Sequence, residues 1–343
     1  MFQVNRDARN LCTGVSYLMS TDVGAPVLDH VWSTESNSIY IVGCNNKVNY
    51  WNLATPQSPP TELGSHAQPI RAIHRATVGG SNCLVTGSWD KTLSYWDPRT
   101  PRQLAKVQLD ERVYAMDVNR SSMVVALGGQ ASRKVCIFDL SRSHDRPTWE
   151  LPSSPLKFQT RCVRIFHDLN NQGKPQSFAI SSIEGRCAIR RLDQNEDSSM
   201  DGQGKPKYSF AFKCHRDEQQ TKLIYAVNSV DCHPNHSKFG SVFATGGSDG
   251  VITTWDKDQK QRITPNANNP FAYLTRIQEK QQKTPVTDMK FSPDGNLLAY
   301  AISYDWSKGH EFNDPRTFMP QVFVHNLVED GELIRPKQKQ GFI

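Results

Sequence analysis

The sequence predicts an all-β protein in which small sheets are arranged radially as a propeller. One pattern recurs along the chain: a short apolar strand, a turn of Gly, Ser and Asp or Asn, and a strand that ends in an aromatic and a polar residue. Helical periodicity, in contrast, is nearly absent. Because each unit alone would be a sheet with two apolar faces, radial stacking of the units is the arrangement that buries both faces.

Six copies of the pattern can be recognised, at 41–53, 84–98, 124–140, 178–193, 243–256 and 298–327. The aromatic position of the closing strand serves as a marker and falls at Trp51, Trp96, Phe138, Arg190, Trp255 and His325. The first two spacings between markers match the ~40–45 residues of a propeller blade. The later spacings are longer, and the polar stretches 194–207 and 258–283 are predicted to be exposed loops that account for the excess.

An alternating strand precedes each copy and is predicted to line the central channel. These six inner strands are predicted at 27–32, 70–74, 113–118, 162–166, 226–232 and 286–291. The sequence therefore predicts six blades.

Composition favours a folded chain without membrane segments. Hydrophobic residues make up 37% of the sequence, which is too high for a disordered chain. No apolar run approaches the length of a membrane span, and the start of the chain lacks the apolar core of a signal peptide, so neither membrane insertion nor secretion is expected. The net charge of +6 permits contact with nucleic acid or an acidic peptide.

Eight cysteines are scattered along the chain with no C-x-x-C pair, which predicts a reducing compartment and no disulfide framework. The pairs Cys214-His215 and Cys232-His233 match no zinc-finger spacing. No metal and no other cofactor are expected.

Polar residues that recur with the repeat are predicted to lock the tight turn of each blade, because an Asp in the turn can accept a hydrogen bond from a His in the preceding loop. The second copy supplies His66, Ser88, Asp90 and Trp96. The fifth supplies His215, Asp249 and Trp255, with Gly247 in place of the serine. Their recurrence with the fold period indicates a structural network and no catalytic residues.

The densest group of reactive side chains lies in SYDWSKGHEF (303–312), within the last copy. It could be a catalytic or metal-binding loop. However, His310 and Glu311 are adjacent and would point to opposite sides of a strand, and no second His stands at a useful spacing. The sequence therefore predicts that the protein is not an enzyme.

A binding surface suits the same loop better. Trp306, with Asp305 and Lys308 beside it, offers a stacking face and charge, unless it simply caps the blade core. Arg112, Arg161 and Arg216 lie at the starts of inner strands or in the loops before them, so they are expected to cluster at one end of the channel and attract carboxylates or phosphates, unless each is an isolated solvated charge.

Several segments resemble the mRNA export factor family of WD-repeat nucleoporin-binding propellers. They are TGSWDKT (86–92), SSIEGR (181–186), FKCHR (212–216), GSDG (247–250) and SYDWSKGHEF (303–312). A sister family, the WD-repeat mitotic checkpoint protein, shares TGSWD, WDPRTP, QTRC, SSIEGR and KCHR but keeps only the beginning of SYDWSKGHEF. The complete segment favours the export factors.

The resemblance implies a seven-bladed, non-catalytic propeller in the nuclear pore mRNA export pathway. Such a protein would bind the acidic GLEBS motif of an FG-repeat nucleoporin, single-stranded RNA, and mitotic checkpoint kinases. It would be found in the nucleus and nuclear envelope, and also in the cytoplasm and on the mitotic spindle. The alternative is a kinetochore spindle-checkpoint adaptor that binds GLEBS-type peptides without binding RNA.

Carried over by resemblance, the nucleic-acid patch would consist of Asp305, Trp306, Lys308 and Arg216. The peptide side would include Arg161, Arg112 and Trp89.

The family has a whole blade before the strand at 27–32, where this chain has about two dozen residues, and 1–4 aligns with the end of that blade. We expect a stub of an incomplete first blade at 1–24, the WD-repeat propeller at 25–327 and a basic tail at 328–343. Either the stub leaves a sheet edge open, or the ring closes with six blades.

Overall fold

The computed structural model describes residues 1–7, 12–129, 133–170, 173–193, 209–216, 223–263, 284–314 and 316–327. In these residues nearly every ordered element is a strand, and the helices are single turns, α1 (His236–Phe239) and a 3₁₀ turn at His310–Phe312. The predicted loop 194–207 and tail 328–343 lie outside the described residues. The predicted loop 258–283 is described only to residue 263, and Gln261–Arg262 within it forms a short edge strand instead.

The strands form an N-terminal hairpin and six blades, each a separate antiparallel sheet. The hairpin consists of β1 (Phe2–Arg6) and β2 (Cys12–Tyr17). Blade 1 comprises β3 (Val27–Trp32), β4 (Ser38–Gly43), β5 (Lys47–Asn52) and β6 (Thr61–Ser65). Blade 2 comprises β7 (Ile70–Val78), β8 (Ser81–Ser88), β9 (Thr92–Trp96) and β10 (Gln103–Gln108). Blade 3 comprises β11 (Arg112–Asn119), β12 (Ser122–Gly128), β13 (Val135–Asp139) and β14 (Trp149–Leu151).

The second half of the chain continues in the same way. Blade 4 comprises β15 (Thr160–Ile165), β16 (Ser177–Ser182), β17 (Arg186–Arg191) and β18 (Phe210–Lys213). Blade 5 comprises β19 (Val227–Cys232), β20 (Val242–Gly247), β21 (Ile252–Asp256) and β22 (Gln261–Arg262). Blade 6 comprises three described strands, β23 (Val286–Phe291), β24 (Leu297–Ile302) and β25 (Gln321–Asn326).

The predicted all-β propeller with six blades is confirmed. The six marker residues occupy one register position, since each pairs with the equivalent residue of the second strand of its blade. These pairs are Ile39–Trp51, Leu84–Trp96, Met123–Phe138, Phe178–Arg190, Phe243–Trp255 and Leu298–His325. The predicted inner strands are the first strand of each blade, with ends that differ from the prediction by at most a few residues.

The core is divided into clusters that lie between neighbouring blades. Leu93 and Tyr95 of blade 2, for example, pack with Met123 and Phe138 of blade 3, and all four are almost completely buried. Similar clusters join blades 1 and 2, 3 and 4, 4 and 5, and 5 and 6. Burial of one such large apolar side chain contributes about 1.5–3 kcal/mol, so each blade is stabilised mainly by its neighbours.

The N-terminal hairpin lies between blade 1 and blade 6. Met1 and the loop after β2 pack on Ile39, Ile41 and Trp51 of blade 1. On the other side, the Cys12 amide donates to Asn326 Oδ1 at 2.7 Å, and Asn326 Nδ2 donates back to the Cys12 carbonyl at 3.2 Å. The position between blades 6 and 1 is therefore occupied by two strands, where each of blades 1–5 has four.

Candidate functional site

The tight turn of blade 2 is held by a buried polar network. His66 Nδ1 lies 3.0 Å from Asp90 Oδ2, and His66 Nε2 lies 2.8 Å from Thr86 Oγ1. The same hydroxyl accepts the Trp96 Nε1–H at 2.8 Å. Ser88, which was predicted to be part of this network, instead donates to the carbonyls of residues 68 and 69 and accepts the Asp90 amide. The hydroxyl that joins His66 to Trp96 is therefore Thr86.

Blade 5 repeats this arrangement. His215 Nδ1 lies 2.9 Å from Asp249 Oδ1, and Thr245 Oγ1 lies 2.9 Å from both His215 Nε2 and Trp255 Nε1. A Cβ atom on Gly247 would come within 2.4 Å of His215 Nδ1, so glycine is required where blade 2 has Ser88. Thr86 and Thr245 were not predicted to join these networks, although both precede the turn in the similar segments TGS and TGG.

The polar groups of these two networks are occupied by the hydrogen bonds that hold the turns. Burial lowers the pKa of His66 and outweighs the charge of Asp90, which raises it. For Asp90, burial acts to raise the pKa, but hydrogen bonds from Thr92 and Ala67 and the proximity of His66 bring it below its usual value. A neutral His therefore donates to an ionised Asp in a locked turn, which is a structural role.

Three arginines meet at one end of the channel around a cavity of about 270 Å³. We call this cavity the arginine mouth; it is lined by Arg71, Trp89, Arg112, Tyr114, Gln159, Thr160 and Arg161. Its arginines come from the starts of β7, β11 and β15, so three successive blades contribute one cation each. The structure thus brings together Arg112, Arg161 and Trp89, the three residues expected on the peptide side, and adds Arg71.

Several donors in the arginine mouth are buried without a protein acceptor. Arg161 Nε, Trp89 Nε1 and Thr160 Oγ1 have no hydrogen-bond partner among the described residues. Burial lowers the pKa of Arg161, the charge of Asp305 opposes this, and the neighbouring Arg71 lowers it further. An unpaired buried donor costs about 1–3 kcal/mol, so the cavity is arranged to receive an acceptor, preferably an anion.

The segment 303–312, which we call the Trp306 loop, presents an aromatic side chain to solvent. Trp306 is 59% exposed and has a positive φ of 59°, an uncommon backbone conformation for a bulky residue. Tyr304 supports the loop from below, since its hydroxyl donates to the Gly309 carbonyl at 2.8 Å and accepts the Lys308 amide at 3.1 Å. Lys308 Nζ lies 6.0 Å from the centre of the exposed Phe312 ring. Trp306 therefore does not cap the blade core.

Asp305 lies beneath this surface and is 9% exposed. Its carboxylate accepts hydrogen bonds from the Ser248 hydroxyl and from the Ser307 amide. Burial acts to raise the pKa of Asp305, but these hydrogen bonds and the charge of Arg161 hold it below its usual value. The buried anion is placed to position the loop, whereas Trp306 and Lys308 are the exposed members of the predicted patch.

Arg216 does not line the arginine mouth. Its guanidinium donates from Nη2 to the Glu184 carbonyl at 2.8 Å and from Nε to the Gly185 carbonyl at 3.4 Å, and thereby joins the turn of blade 4 to blade 5. Arg216 directly follows His215, which is hydrogen-bonded to Asp249. The residue before Asp249, Ser248, donates to Asp305 at the base of the Trp306 loop. Arg216 and the Trp306 loop therefore belong to the same end of the propeller.

The histidines of the two Cys-His pairs are engaged in hydrogen bonds. His215 binds Asp249 and Thr245, and His233 Nε2 lies 3.1 Å from the Gly295 carbonyl. Within the described part of the chain, no three His, Cys, Asp or Glu side chains converge as a metal site. His310 and Glu311 are exposed on the 3₁₀ turn. No described helix has both the length and the apolar composition needed to cross a bilayer.

Comparison with known proteins agrees with this architecture. A family model described as "WD domain, G-beta repeat" matches residues 57–97, 207–256 and 274–307. The chain is 35% identical over 311 residues to Protein Rae1 of Drosophila melanogaster, an alignment that covers 90% of this chain and 79% of the relative. It is 36% identical over 327 residues to mRNA export factor rae-1 of Caenorhabditis elegans, covering 93% and 77%. With mRNA export factor GLE2 of Chaetomium thermophilum it shares 35% identity over 319 residues, covering 92% and 78%. Together with the six WD-repeat blades, these similarities show that the chain belongs to the Rae1/GLE2 family of mRNA export factors.

Proposed function

We propose that this chain is a non-catalytic docking platform in mRNA export that binds an acidic GLEBS segment of an FG-repeat nucleoporin and single-stranded RNA. The relatives from Caenorhabditis elegans and Chaetomium thermophilum are named as mRNA export factors, which supports the general role. On this proposal the protein works at the nuclear pore, and a further role at the mitotic spindle with checkpoint kinases would use the same peptide surface.

The observation that carries the peptide part is the arginine mouth. Arg71, Arg112 and Arg161 surround one cavity, and Arg161 Nε is buried there without an acceptor among the residues that the structure describes. A carboxylate from an acidic peptide would accept from this donor and neutralise part of the clustered charge, and such charge-assisted hydrogen bonds contribute about 1.5–3 kcal/mol each. Trp89 and Tyr114 also line the cavity, and their aromatic rings could pack against the aliphatic part of the acidic side chain that enters it.

The RNA part is supported by the Trp306 loop. Trp306 and Phe312 are 59% and 56% exposed, so both present ring faces on which unpaired bases could stack. Lys308 lies between them in sequence and adds an exposed cation suited to a phosphate. Asp305, which would repel a phosphate at the surface, is buried and bound to Ser248.

The peptide proposal can be tested by fluorescence anisotropy with a labelled acidic GLEBS peptide and the same peptide with Glu replaced by Gln. Arg161→Ala and Arg112→Ala are each expected to weaken binding by roughly tenfold or more, from the loss of a charge-assisted hydrogen bond. Arg99→Ala is the matched control, because Arg99 is exposed and its salt bridge is with the nearby Asp97. Equal affinity of the Arg161→Ala protein and the unchanged protein would contradict the peptide proposal.

The kinetochore adaptor is the competing function, and RNA distinguishes the two. Both would bind the acidic peptide, but the adaptor would show no salt-sensitive binding of single-stranded RNA. If the peptide binds and RNA does not, the adaptor role is favoured.

A further inference from the structure

The arginine mouth carries more positive charge than one carboxylate neutralises. Arg71, Arg112 and Arg161 line this cavity of about 270 Å³, and the described residues around it include no carboxylate. None of the three forms a salt bridge within the part of the chain that the structure describes, whereas Arg164, on the same strand as Arg161, pairs with two aspartates. The cavity therefore presents three cations to one incoming group.

Two of these guanidinium groups are held in place by neutral acceptors. Arg161 Nη2 donates to Asn228 Oδ1 at 3.1 Å, and Arg71 Nη1 donates to the Leu28 carbonyl at 3.4 Å. Such acceptors fix the direction of each side chain without cancelling its charge. Because the arginines are already ordered, less conformational entropy is lost when an anion binds to them.

The unpaired buried groups of the arginine mouth are hydrogen-bond donors. Trp89 Nε1 and Arg161 Nε can only donate, the Thr160 hydroxyl can also donate, and none of these three atoms has a partner among the described residues. Thr160 is only 3% exposed. The two oxygens of a carboxylate lie on one side of its carbon, whereas a phosphate monoester has three diverging acceptor oxygens and a charge of about −1.5 to −2 at pH 7. Three arginines from three blades match the second group better.

We propose that the arginine mouth binds the phosphoryl group of a phosphorylated serine or threonine in a partner peptide, in preference to a carboxylate. This preference rests on the proposed function, since it concerns the same acidic segment and names the side chain that enters the cavity. Arginine clusters are a recurrent means of recognising phosphorylated motifs, because each guanidinium can donate two parallel hydrogen bonds to phosphate oxygens. A partner phosphorylated at this position therefore binds the chain more tightly than the unmodified partner.

The size and rim of the cavity favour a peptide over other sources of phosphate. Pockets that enclose a whole small molecule span about 300–1,000 Å³, so this cavity suits one head group better than a free nucleotide. A phosphate within an RNA strand carries a single negative charge and two bulky substituents, which suits an enclosed site with three arginines less well. On blade 4 the rim is apolar: Phe158 and Ile183 are 52% and 39% exposed, and the Ile183 amide donates to the carbonyl of the lining residue Gln159 at 3.1 Å. Apolar peptide residues beside the phosphorylated one can pack there.

Fluorescence anisotropy with the full chain and a matched series of labelled GLEBS peptides tests this preference. In the series, each glutamate of the peptide is replaced in turn by phosphoserine or by serine. A further peptide keeps the glutamate and carries a second glutamate beside it, so that its net charge equals that of the phosphopeptide. We expect one position at which phosphoserine binds about tenfold or more tightly than both glutamate peptides, because the phosphate accepts an additional charge-assisted hydrogen bond.

Substitutions in the cavity separate this site from the general surface charge. Arg71→Ala and Arg112→Ala should each remove most of the advantage of phosphoserine over glutamate, since each deletes one of the three cations. Trp89→Phe keeps an aromatic ring but lacks the Nε1–H donor, and should reduce the advantage by about threefold or more. Arg99→Ala is the control, because the Arg99 side chain is 85% exposed and does not line the cavity, and it should leave the advantage unchanged.

The pH dependence of binding gives a second readout that needs no substitution. Phosphoserine has a second pKa of about 6, so its affinity should fall as the pH decreases from about 7.5 to about 5.5, whereas a glutamate with a pKa of about 4.3 stays ionised. The described lining residues include no His, Asp or Glu, and the pKa of Asp305, whose charge acts on Arg161, lies below its usual value. The glutamate peptide reports any titration of the protein itself.

The possible results distinguish this preference from the proposed function. If the glutamate peptides bind and no phosphoserine peptide binds more tightly, the preference is overturned and the proposed function stands. If only a phosphoserine peptide binds, the preference is supported and the carboxylate part of the proposed function fails; if no peptide binds, both fail. An advantage of phosphoserine that persists in the Arg71→Ala and Trp89→Phe proteins would place the phosphate elsewhere. Displacement of the phosphopeptide by single-stranded RNA, even from the Trp306→Ala protein, would assign the cavity to nucleic acid instead.

Discussion

Arg161 of blade 4 and Asp305 of blade 6 are joined by a continuous chain of hydrogen bonds across blade 5. Arg161 Nη2 donates to Asn228 Oδ1 at 3.1 Å, and Asn228 Nδ2 donates to Ser248 Oγ at 3.0 Å. The Ser248 hydroxyl in turn donates to the Asp305 carboxylate. The arginine mouth and the Trp306 loop are thus positioned by one polar network that spans three blades.

Ser248→Ala removes the central hydroxyl of this chain and is expected to destabilise the protein. Asn228 Nδ2 would lose an acceptor and the buried Asp305 carboxylate a donor, for a cost of about 1–3 kcal/mol. The free energy of unfolding in urea measures this loss. Ser58→Ala, at an exposed serine, is the control. Equal stability of the two variants would show that the hydrogen bonds between Arg161 and Asp305 do not stabilise the fold.

Thr86→Val and Thr245→Val test the turn networks. Each change leaves a buried Trp Nε1–H and a buried His nitrogen without the shared hydroxyl, so each should lower the free energy of unfolding by about 1–3 kcal/mol. Because blades 2 and 5 are not neighbours, the two losses should add in the double variant. Thr55→Val, on an exposed loop, should have little effect. A double variant as stable as the unchanged protein would refute the networks' role.

Stability should fall as the pH decreases from about 6.5 to about 4 because of His233. Burial lowers the pKa of His233 to about 4, outweighing the Gly295 carbonyl, which raises it. Neutral His233 donates from Nε2 to Gly295 and accepts the Asn235 amide at Nδ1, so a second ring proton would oppose that amide. In this window the unfolded chain binds a proton at this residue that the folded chain does not, which favours unfolding.

Urea unfolding at several pH values measures this effect. One such proton contributes a slope of up to about 1.4 kcal/mol per pH unit. His233→Gln should reduce the slope between pH 6.5 and 4, although its stability at pH 7 also falls. Equal slopes for the variant and the unchanged protein would show that His233 does not titrate in this way.

Single-stranded RNA should bind to the Trp306 loop with a marked dependence on salt. Trp306→Ala is expected to weaken binding by about 1–3 kcal/mol through loss of base stacking. Lys308→Ala should lower the slope of log affinity against log salt by about 0.7, the value for one phosphate contact on a single strand. Anisotropy with labelled oligonucleotides at several salt concentrations measures both effects. Phe2→Ala and Lys106→Ala are controls at exposed positions elsewhere and should leave RNA binding unchanged. If Trp306→Ala and Lys308→Ala also leave it unchanged, the Trp306 loop is excluded as the RNA-binding site.

The repeating elements could be predicted from the sequence more accurately than the polar contacts. The markers from Trp51 to His325 all fall on one register position, because strand alternation and turn residues are local signals. The role of Thr86 was not predicted, because Thr86 and Ser88 flank the same glycine and only the packing of Trp96 decides which hydroxyl it reaches. Asp305 is beside Trp306 in sequence, yet one is buried and the other exposed.

By itself the sequence determined that the chain is all-β, that six blades repeat, and that Arg112, Arg161 and Trp306 merit attention as binding residues. Only the tertiary structure decided that Arg71 joins Arg112, Arg161 and Trp89 around one cavity, and that Arg216 lies apart from that cavity. The physical reason is that strand and turn propensities act over a few residues. The cavity, in contrast, depends on how separate blades pack around the channel, which no local pattern encodes.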